Sequence, residues 1–378
     1  MKKKIAIVSS DDIIIYQPSI LNLYDFLKDS FDISIISFEP KYLGNKKDNE
    51  RDINYLQVPP LSGKIRRITD LGINRILKTV DKNIFRISYR SSFVRKLKQR
   101  ILADALKKTD HDIFIAVDPM PLYTVQQVKG KAHFFSLEII PGDPYLKKAD
   151  RSLISSVIIQ SEIRYRYLFD KTELPVFYIQ NAPFCKNKVL NENARSGLIW
   201  AGTIVKDFGV LSCFDFLRTY PEQRFYFRGG IVPDTKNIIE KKYGDLLDSQ
   251  QAILDSSYLP AEEYIKFLSG FRIGFCFYDL DLIKSNFNYE TAPSGKVFMY
   301  LAAGLPVIAV RISGFGFIEE TRSGVLIDDY APVTIQRAIQ TIEDHYNEFS
   351  ANSYRAFEMY CFDKNAVHLR KALLEEVF

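Results

Sequence analysis

The stretch APSGKVFMYLAAGLPVIAV, residues 292–310, changes character twice within nineteen residues. A polar start gives way to a helical run of small residues, and after a glycine the stretch ends in a β-branched strand. Ser294 is a suitable N-cap for the helix, and Gly295 lets another group approach the backbone closely. The free N–H groups of a first helical turn form an anion site, to which Lys296 adds a full positive charge. The alternative is an ordinary helix whose lysine is solvated.

The small residues at the end of this helix predict close packing against a sheet. Ala302, Ala303 and Gly304 have little side-chain volume, and Gly304 is expected to end the helix. The helix also follows a loop that leaves a strand, and α/β sheets bind ligands at the carboxyl ends of their strands. This position favours the anion site over the solvated lysine.

Outward from this block, apolar runs alternate with helical patterns along most of the 378 residues. The runs are continuous, which is typical of parallel strands that are covered on both faces. Residues 181–196 lack the pattern, are rich in Asn and are interpreted as a linker. The chain is therefore predicted to be an α/β protein with two Rossmann-like, doubly wound domains that face a cleft at the carboxyl ends of the strands. The predicted strands are 4–9, 32–37, 112–117, 133–137, 156–160 and 176–180 before the linker, and 197–202, 224–229, 272–278, 305–310 and 324–328 after it.

The block at 292–310, followed by GFGFIEETRSGVLID (314–328), resembles the donor-site signature of GT-B glycosyltransferases of the large retaining family 4 and its relatives. LIWAGTIVKDFGV (198–210) and SSYLPAEEYIKFLSGFRIGFCFY (256–278) are similar to the strands, loops and helices that precede that signature in the family. The resemblance implies a GT-B fold with a C-terminal helix that crosses back to the first domain. The implied domains are an acceptor-binding domain 1–182, a donor-binding domain 183–355 and the returning helix 356–378.

The resemblance implies that the second domain holds a nucleotide-diphosphate sugar, with no essential metal and no other cofactor. A leaving nucleoside diphosphate develops negative charge, and Lys, Arg and helix N-termini stabilise it where Mg²⁺ does not. Lys206 lies where the family keeps a lysine, so the diphosphate role is carried onto it. The expected donor-binding residues are Gly202, Thr203, Lys206, Arg228, Tyr258, Glu290, Ser294, Gly295 and Lys296.

The chain departs from the family pattern at the diphosphate arginine and at two glutamates. Thr203 stands where an arginine usually follows the motif glycine; Arg228 could replace that charge, or else form a salt bridge at the domain edge. Met299 stands where relatives generally place the glutamate that holds the nucleotide ribose. The glutamate that normally contacts the donor sugar falls at Thr291, so the adjacent Glu290 is expected to take its role.

In the first half, Asp118 and Glu138 each follow a predicted strand and therefore lie on the cleft side of the sheet. A carboxylate in a closing cleft is a suitable base or partner of an acceptor hydroxyl, so these two are the candidate catalytic residues. Asp11 and Asp12 follow the first strand and either face the same cleft or are turn residues. His133 lies within a strand and is expected to be a core residue with satisfied hydrogen bonds.

Positive charge is concentrated between residues 64 and 108, where fourteen Lys/Arg and three Asp give a net +11 in a chain of net +5. Within this segment, SSFVRKLKQRILADALKK (91–108) predicts a helix with serine N-caps. A basic amphipathic helix suits an anionic membrane surface. The alternatives are a core-packed helix with a solvated basic face and a nucleic-acid site, which no accompanying motif supports. The predicted apolar stripe consists of Phe93, Leu97, Ile101 and Ala105.

The cysteines and the N-terminus predict a cellular location. Cys185, Cys213, Cys276 and Cys361 show no CxxC spacing and are expected to be buried thiols of a reducing compartment, without a structural metal. Acidic residues follow the short apolar run at the basic N-terminus, and no window holds eighteen apolar residues, so neither an export signal nor a spanning helix is expected. The expected location is the cytoplasm, with peripheral attachment at the inner face of the plasma membrane if the basic segment binds lipid.

These observations predict a glycosyltransferase of the hexosyltransferase type. It would move a sugar from a nucleotide-diphosphate sugar to a glycan or lipid-linked acceptor, with retention and without metal, in bacterial surface polysaccharide or glycan synthesis. Two other functions stay open. Met299 and Thr203 suit a non-catalytic sugar-nucleotide-binding partner subunit. The fold also suits a GT-B sugar-nucleotide epimerase, although such epimerases rely on several acidic and histidine residues in the cleft and this chain has only four histidines.

Overall fold

The structure, a computed structural model of the chain, describes residues 2–40, 47–59, 82–170, 172–191 and 193–376, with the backbone alone at 82–92, 261 and 262. The chain divides into two compact units. The first unit contains Met1–Ile158, Glu173–Val176 and Ala372–Phe378, and the second contains Ile159–Thr172 and Phe177–Lys371. The domain limits 1–182, 183–355 and 356–378 stay predictions.

The first sheet has seven strands in the order β3-β2-β1-β4-β5-β6-β7. β1 pairs in parallel with both β2 and β4, so Ile5 lies beside Ile33 on one side and Ile113 on the other. The chain leaves β1 in one direction and later returns to its other side, which places the topological switch point between β1 and β4. The strands are β1 Lys4–Val8, β2 Asp32–Phe38, β3 Ile53–Leu56, β4 Ile113–Val117, β5 Ala132–Phe135, β6 Ile154–Ile159 and β7 Val176–Tyr178.

The second sheet has six strands in the order β10-β9-β8-β11-β12-β13, so its switch point lies between β8 and β11. Alternate residues of β8 enter opposite layers of the core, Ile199 and Ala201 on one face and Leu198 and Trp200 on the other. Both faces are thus covered, as the continuous apolar runs predicted. The strands are β8 Leu198–Ala201, β9 Phe225–Arg228, β10 Ala252–Asp255, β11 Ile273–Cys276, β12 Val307–Val310 and β13 Gly324–Ile327.

Helices connect the strands, and five of the described helices have a proline in the first turn, where its fixed φ and missing N–H cost nothing. Within the described ranges, no helix is both long enough and apolar enough to cross a membrane. The helices are α1 Pro18–Leu27, α2 Lys82–Leu106, α3 Pro119–Lys129, α4 Pro144–Lys148, α5 Glu162–Phe169, α6 Val210–Thr219, α7 Pro233–Asp248, α8 Ala261–Leu268, α9 Leu280–Ser285, α10 Phe287–Thr291, α11 Gly295–Ala302, α12 Gly316–Glu320, α13 Pro332–Asp344, α14 Tyr346–Tyr360 and α15 Phe362–Glu375.

Each of the eleven strands predicted from the sequence is present, and two further strands, β3 and β10, were not predicted. Both are edge strands of their sheets. An edge strand has one neighbour and more solvent, so its side chains are mixed in polarity and form no continuous apolar run. The pattern therefore missed one edge strand of each sheet, whereas the opposite edges, β7 and β13, were predicted.

Helix α2 begins at Lys82, nine residues before the predicted start, so Ser91 and Ser92 lie inside it and not at an N-cap position. The predicted apolar stripe is also misplaced, because Leu102 and Leu106 are the fully buried residues and Phe93 is exposed. Lys98 explains why the buried face of α2 differs from the predicted one. Its Nζ donates to the Ser10 carbonyl at 3.0 Å and lies over the Phe38 ring. Its aliphatic stem therefore covers core surface that the sequence pattern gave to apolar residues.

The cysteine prediction is wrong for one pair, because Cys185 and Cys361 form a disulfide. Cys185 lies in the linker after β7, and Cys361 lies between α14 and α15. The backbone N–H of Cys185 donates to Asp363 Oδ1 at 2.7 Å, and Phe362 N donates to the Pro183 carbonyl at 3.0 Å. Cys213 and Cys276 are free and buried, as predicted. The pairing spans 176 residues, so no local spacing could reveal it.

The last residues of the chain, Ala372–Phe378, belong to the first unit, whereas the rest of the predicted returning segment 356–378 belongs to the second. Lys3 Nζ donates to the Leu374 carbonyl at 2.8 Å and to the Leu373 carbonyl at 3.3 Å, which satisfies carbonyls at the end of α15. Nε2 of His133 lies 2.9 Å from the Glu376 carboxylate. The Leu373 side chain is fully buried.

Candidate functional site

The carboxyl end of the second sheet carries residues on both sides of its switch point. Lys206 and Asp207 follow β8, and Asp279 follows β11. Together with Lys284, these residues line a cavity of about 690 Å³. The cavity therefore lies where an open α/β sheet places its ligand.

Lys296 lies at the start of α11 with its ammonium in an aromatic cage. Nζ is 4.5 Å from the centre of the Trp200 ring and 5.4 Å from that of Phe208. Nζ is buried and finds no hydrogen-bond partner among the described residues. Burial lowers the pKa of Lys296. A buried ammonium without an acceptor is costly, so this group is suited to an anion that enters the site.

Gly202 lies beside Lys296, and its φ of 115° belongs to the region that favours glycine. A Cβ on Gly202 would lie 3.6 Å from Lys296 Cε. A Cβ on Gly229 would overlap the Gly202 carbonyl, so the two loops at the ends of β8 and β9 require glycine to pass each other. The close approach of these loops fixes the backbone next to the ammonium.

Arg228 ends β9 and is engaged with the neighbouring strand end. It is buried, pairs with the Asp255 carboxylate and donates from Nη2 to Ser257 Oγ at 2.7 Å. Burial alone would raise the pKa of Asp255, but hydrogen bonds from Ser257 and Tyr226 and the charge of Arg228 lower it to about 2. The ion pair foreseen as an alternative for Arg228 is therefore present.

The remaining predicted donor residues of the second unit lie near the strand ends in different environments. Thr203 and Lys206 are exposed, and the Lys206 backbone N–H donates to Thr235 Oγ1 at 3.0 Å. Tyr258 is 84% exposed and does not belong to the aromatic cage. Ser294 occupies the N-cap position of α11, but its side chain makes no capping hydrogen bond, in contrast to the sequence-based expectation.

Glu290 lies on α10 beside the segment 313–315, which follows β12. Its Oε1 accepts the Ser313 N–H at 3.2 Å, and its carbonyl accepts from Ser313 Oγ at 2.9 Å. Thr291, where relatives carry a glutamate, is buried and donates to the Phe287 carbonyl at 2.7 Å. Met299 packs against the apolar core between α11 and the sheet, so no carboxylate occupies its position.

In the first unit, Asp118 follows β4 and lies at the switch point of the sheet. Its Oδ1 accepts the N–H groups of Leu137 at 2.8 Å and of Glu138 at 3.0 Å. Burial, together with the charges of Glu138 and Asp11, raises the pKa of Asp118 to about 7 against the lowering effect of the two N–H groups. Glu138 itself is exposed at the surface of the unit. Asp118 can thus change its protonation state near neutral pH.

The other polar residues at this edge have structural partners. Asp11 accepts from Ile13 N at 3.0 Å and from Gln17 Nε2 at 2.6 Å, as a turn residue does. Asp12 pairs with Lys98 at 3.3 Å. His133 Nδ1 lies 2.8 Å from a serine hydroxyl on β6, which agrees with its assignment to the core.

Sequence reasoning missed the aromatic cage and the partner of Arg228. Trp200 and Phe208 flank Gly202 within the quoted stretch 198–210, so the aromatic residues around the glycine were the available signal. Asp255 ends the unpredicted strand β10, and its role depends on a pairing between strands that local sequence does not specify.

Several solved structures share this fold over the full length of the chain. The N-terminal domain of trehalose-6-phosphate phosphatase from Candida albicans is 11% identical, covers 100% of this chain and 97% of its own, and has a TM-score of 0.67. A trehalose-6-phosphate structure from E. coli with bound UDP-2-fluoro glucose is 11% identical, with 99% and 100% covered and a TM-score of 0.68. Sucrose-phosphate synthase from Thermosynechococcus elongatus is 13% identical, with 99% of each chain covered and a TM-score of 0.66.

At these identities the likeness establishes the fold alone. The predicted GT-B architecture with two Rossmann-like units is confirmed, and membership of family 4 stays a prediction. No family model and no curated protein sequence matches the chain.

Proposed function

We propose that this protein is a glycosyltransferase that transfers a sugar from a nucleotide-diphosphate sugar. The observation that carries the proposal is the buried, unpartnered ammonium of Lys296 at the amino end of α11. The leaving diphosphate gains negative charge during transfer, and a preorganised cation beside free helical N–H groups stabilises that charge. Lys206, exposed at the end of β8, supplies a second cation for the same group.

The first unit supplies the acceptor chemistry in this proposal. Asp118 has a pKa of about 7, so near neutral pH it can accept a proton from an acceptor hydroxyl. Glu138 is exposed beside it and is suited to hydrogen-bond a second hydroxyl of the acceptor. Transfer in this proposal proceeds with retention and without a metal ion: the bond between the anomeric carbon and the diphosphate oxygen breaks, and the acceptor oxygen bonds the same face of that carbon. The departing diphosphate oxygen orients the acceptor hydroxyl by a hydrogen bond, the hydroxyl proton passes to Asp118, and the lysines balance the charge of the diphosphate.

The acceptor is a glycan or a lipid-linked glycan of bacterial surface polysaccharide synthesis. The net +11 between residues 64 and 108 supports this choice, because a basic surface holds an acceptor-binding unit at an anionic membrane. In this proposal the protein works in the cytoplasm, at the inner face of the plasma membrane, without a nucleic-acid partner. The basic segment supports that location, whereas the cysteines no longer do, since Cys185 and Cys361 are paired. Residues 64–81 of the basic segment lie outside the described residues, and residues 82–92 are described by their backbone alone.

Ligand binding tests the donor proposal directly. Trp200 is the only tryptophan of the chain, so its emission should change when a nucleoside diphosphate moves the Lys296 ammonium. A nucleotide sugar at one hundred times its Kd should add about 2.7 kcal/mol to the free energy of unfolding. A panel of UDP, GDP and ADP sugars identifies the donor by the size of that stabilisation.

The Lys296→Met variant removes the charge and suits the apolar surroundings of the site. It should keep the fold and bind the selected nucleoside diphosphate at least about tenfold more weakly, the cost of losing a charge-assisted contact. Lys236→Met, an exposed change on α7, is the matched control and should bind normally. Equal affinity of the Lys296 variant and the wild type would refute the diphosphate role.

The second candidate function is a non-catalytic sugar-nucleotide-binding subunit. Met299 favours it, because this partly buried thioether packs against the core and cannot replace the carboxylate that the resemblance leads us to expect at the ribose. Binding of a nucleotide sugar without its hydrolysis or transfer, even with cell extract as the acceptor source, would favour the subunit over the enzyme.

A further inference from the structure

Two side chains of α5 contact the short helix α10. The ring of Tyr167 stacks on that of Phe287, with centroids 4.0 Å apart and planes inclined by 26°. Arg164 donates from Nη1 to Thr291 Oγ1 at 3.2 Å. The two residues lie one turn apart on α5, so a single helix face holds both ends of α10.

The contact between Arg164 and Thr291 is buried on both sides. Arg164 is fully buried, and Thr291 is 2% exposed. The Thr291 hydroxyl accepts from the guanidinium and donates to the Phe287 carbonyl, so both of its hydrogen-bonding roles are taken. A buried guanidinium requires such contacts, and the threonine is fixed by them.

The loop at 313–315 holds α10 from another side. Ser313 bonds both the carboxylate and the carbonyl of Glu290. A Cβ on Gly314 would lie 2.8 Å from the Thr291 carbonyl carbon, so the loop packs directly on the helix backbone. Helix α10 is therefore clamped between α5 and this loop, with Glu290 as its last carboxylate.

We infer that Arg164 is a positioning residue for the sugar-binding part of the donor site. Through Thr291 it fixes α10, and α10 sets the place of Glu290, which hydrogen-bonds a hydroxyl of the hexose. The ligand class is the sugar of a nucleotide-diphosphate sugar, whereas the diphosphate depends on Lys296. This inference rests on the proposed function for the identity of the ligand, but its structural part does not.

Hydrogen exchange tests the structural part without any ligand. In Arg164→Met, amide exchange should rise about tenfold or more across residues 286–292 and stay unchanged in β12. Arg195→Met is the control, because Arg195 is a part-buried arginine of the same unit whose contacts lie on Gly304 and Tyr354 and not on α10. Thr291→Val removes the acceptor of the same hydrogen bond with little change in side-chain volume, and it should raise amide exchange in the same residues. Unchanged exchange in both variants would overturn the positioning role.

Binding tests the sugar part, with UDP and UDP-glucose as the probes and the GDP and ADP pairs beside them. Arg164→Met should bind the nucleotide sugar about tenfold more weakly and the nucleoside diphosphate within about twofold of the wild type. Arg164→Lys should recover part of the difference. The double variant with Thr291→Val should be no weaker than Arg164→Met alone, because both remove one contact.

The outcomes separate the two proposals. Equal weakening of nucleoside diphosphate and nucleotide sugar would overturn this inference and leave the donor proposal intact. Failure of the wild type to bind any of the six nucleotides would overturn the proposed function and the sugar role of Glu290, while the exchange result would still decide whether Arg164 positions α10.

Discussion

Asp118 combines an unusual backbone conformation with a carboxylate between two backbone N–H groups. Its φ is 63°, a value that few non-glycine residues adopt. Local strain of this kind is kept where neighbouring groups hold the residue in place. Here the N–H groups of Leu137 and Glu138 do so, and they aim the carboxylate at the switch point of the sheet.

The Asp118→Asn variant should gain stability relative to the wild type as pH rises. The folded-state pKa is about 7 and the ordinary value is 3.8, so between them the folded protein holds a proton that the unfolded chain releases. The wild type therefore loses stability from about pH 4 to about pH 7, on the order of 1–3 kcal/mol, and Asn cannot titrate. Urea unfolding of both proteins across this range measures the difference. A constant difference would show that the pKa is not raised.

The position of a residue was predictable where the local sequence alone determines it. Asp118 was placed at a strand end and Lys296 at a helix start from the sequence alone, and the structure has them there, whereas their catalytic and donor-binding roles stay predictions. The contacts of Trp200, Arg164 and Asp255 were not predictable, since each depends on a partner from a different part of the chain. Whether a charged side chain forms an ion pair depends on residues that are distant in the sequence, and a single sequence does not identify those partners.

At the scale of elements, the end of α11 shows how a single glycine sets the distance between layers. Gly304 has a φ of 70°, and a Cβ there would overlap the Tyr354 ring of α14. The predicted role of Gly304 as the end of the helix is confirmed, because α11 ends at Ala302 and Gly304 follows it. Small residues at this point let α14 lie against α11.

Gly304→Ala should destabilise the protein by about 2–4 kcal/mol, since it adds backbone strain and a steric overlap at one position. Gly244→Ala is the matched control within α7, where a Cβ meets no atom within 4 Å. That change should be neutral or stabilise by up to about 1 kcal/mol, because alanine favours a helix. Thermal unfolding of the two variants decides the point, and similar melting temperatures would contradict the packing argument.

All the central strands were predictable, and of the four edge strands β7 and β13 were predictable and β3 and β10 were not. β8 and β11 are buried runs of apolar residues, whereas β3 and β10 expose part of their length. The start of α2 was also missed, because serine at 91 and 92 is tolerated inside a helix and the residues before it carry no break signal. Helix boundaries and strands of mixed polarity depend on their neighbours, whereas continuous apolar strands follow from the sequence itself.

For the whole molecule, the end of the chain contributes to the first unit, to which its last residues belong. Leu373→Ala should cost about 2–4 kcal/mol, the usual loss for a fully buried leucine. Leu374→Ala is the matched control, because its side chain is 49% exposed, and it should change stability by less than about 0.5 kcal/mol. Urea unfolding measures both, and equal effects would exclude burial of the returning segment as the cause.

Membrane attachment through residues 64–108 stays a prediction, and the structure identifies the side chains that test it. Arg95 pairs with Asp143 at 2.6 Å and Lys98 pairs with Asp12, so charge reversal at either would disturb the fold. Lys96 and Arg100 are exposed. Lys96→Glu with Arg100→Glu should reduce binding to anionic vesicles, and added salt should do the same because the Debye length is only about 8 Å at physiological ionic strength.

The control for this experiment is charge reversal at two exposed lysines of α7, Lys236→Glu with Lys241→Glu, which changes net charge equally. Co-sedimentation with anionic and neutral vesicles gives the comparison. If both double variants bind anionic vesicles alike, net charge alone drives attachment and helix α2 has no special part.

The disulfide between Cys185 and Cys361 closes residues 185–361 into a covalent ring, and all six strands of the second sheet lie within it. A protease that cuts once inside this ring leaves a single molecule whose two ends are still joined through sulfur. Such nicked protein would migrate as two pieces in a denaturing gel only after a thiol reductant opens the ring. The number of fragments before and after reduction therefore reports whether a cut has fallen inside or outside the ring.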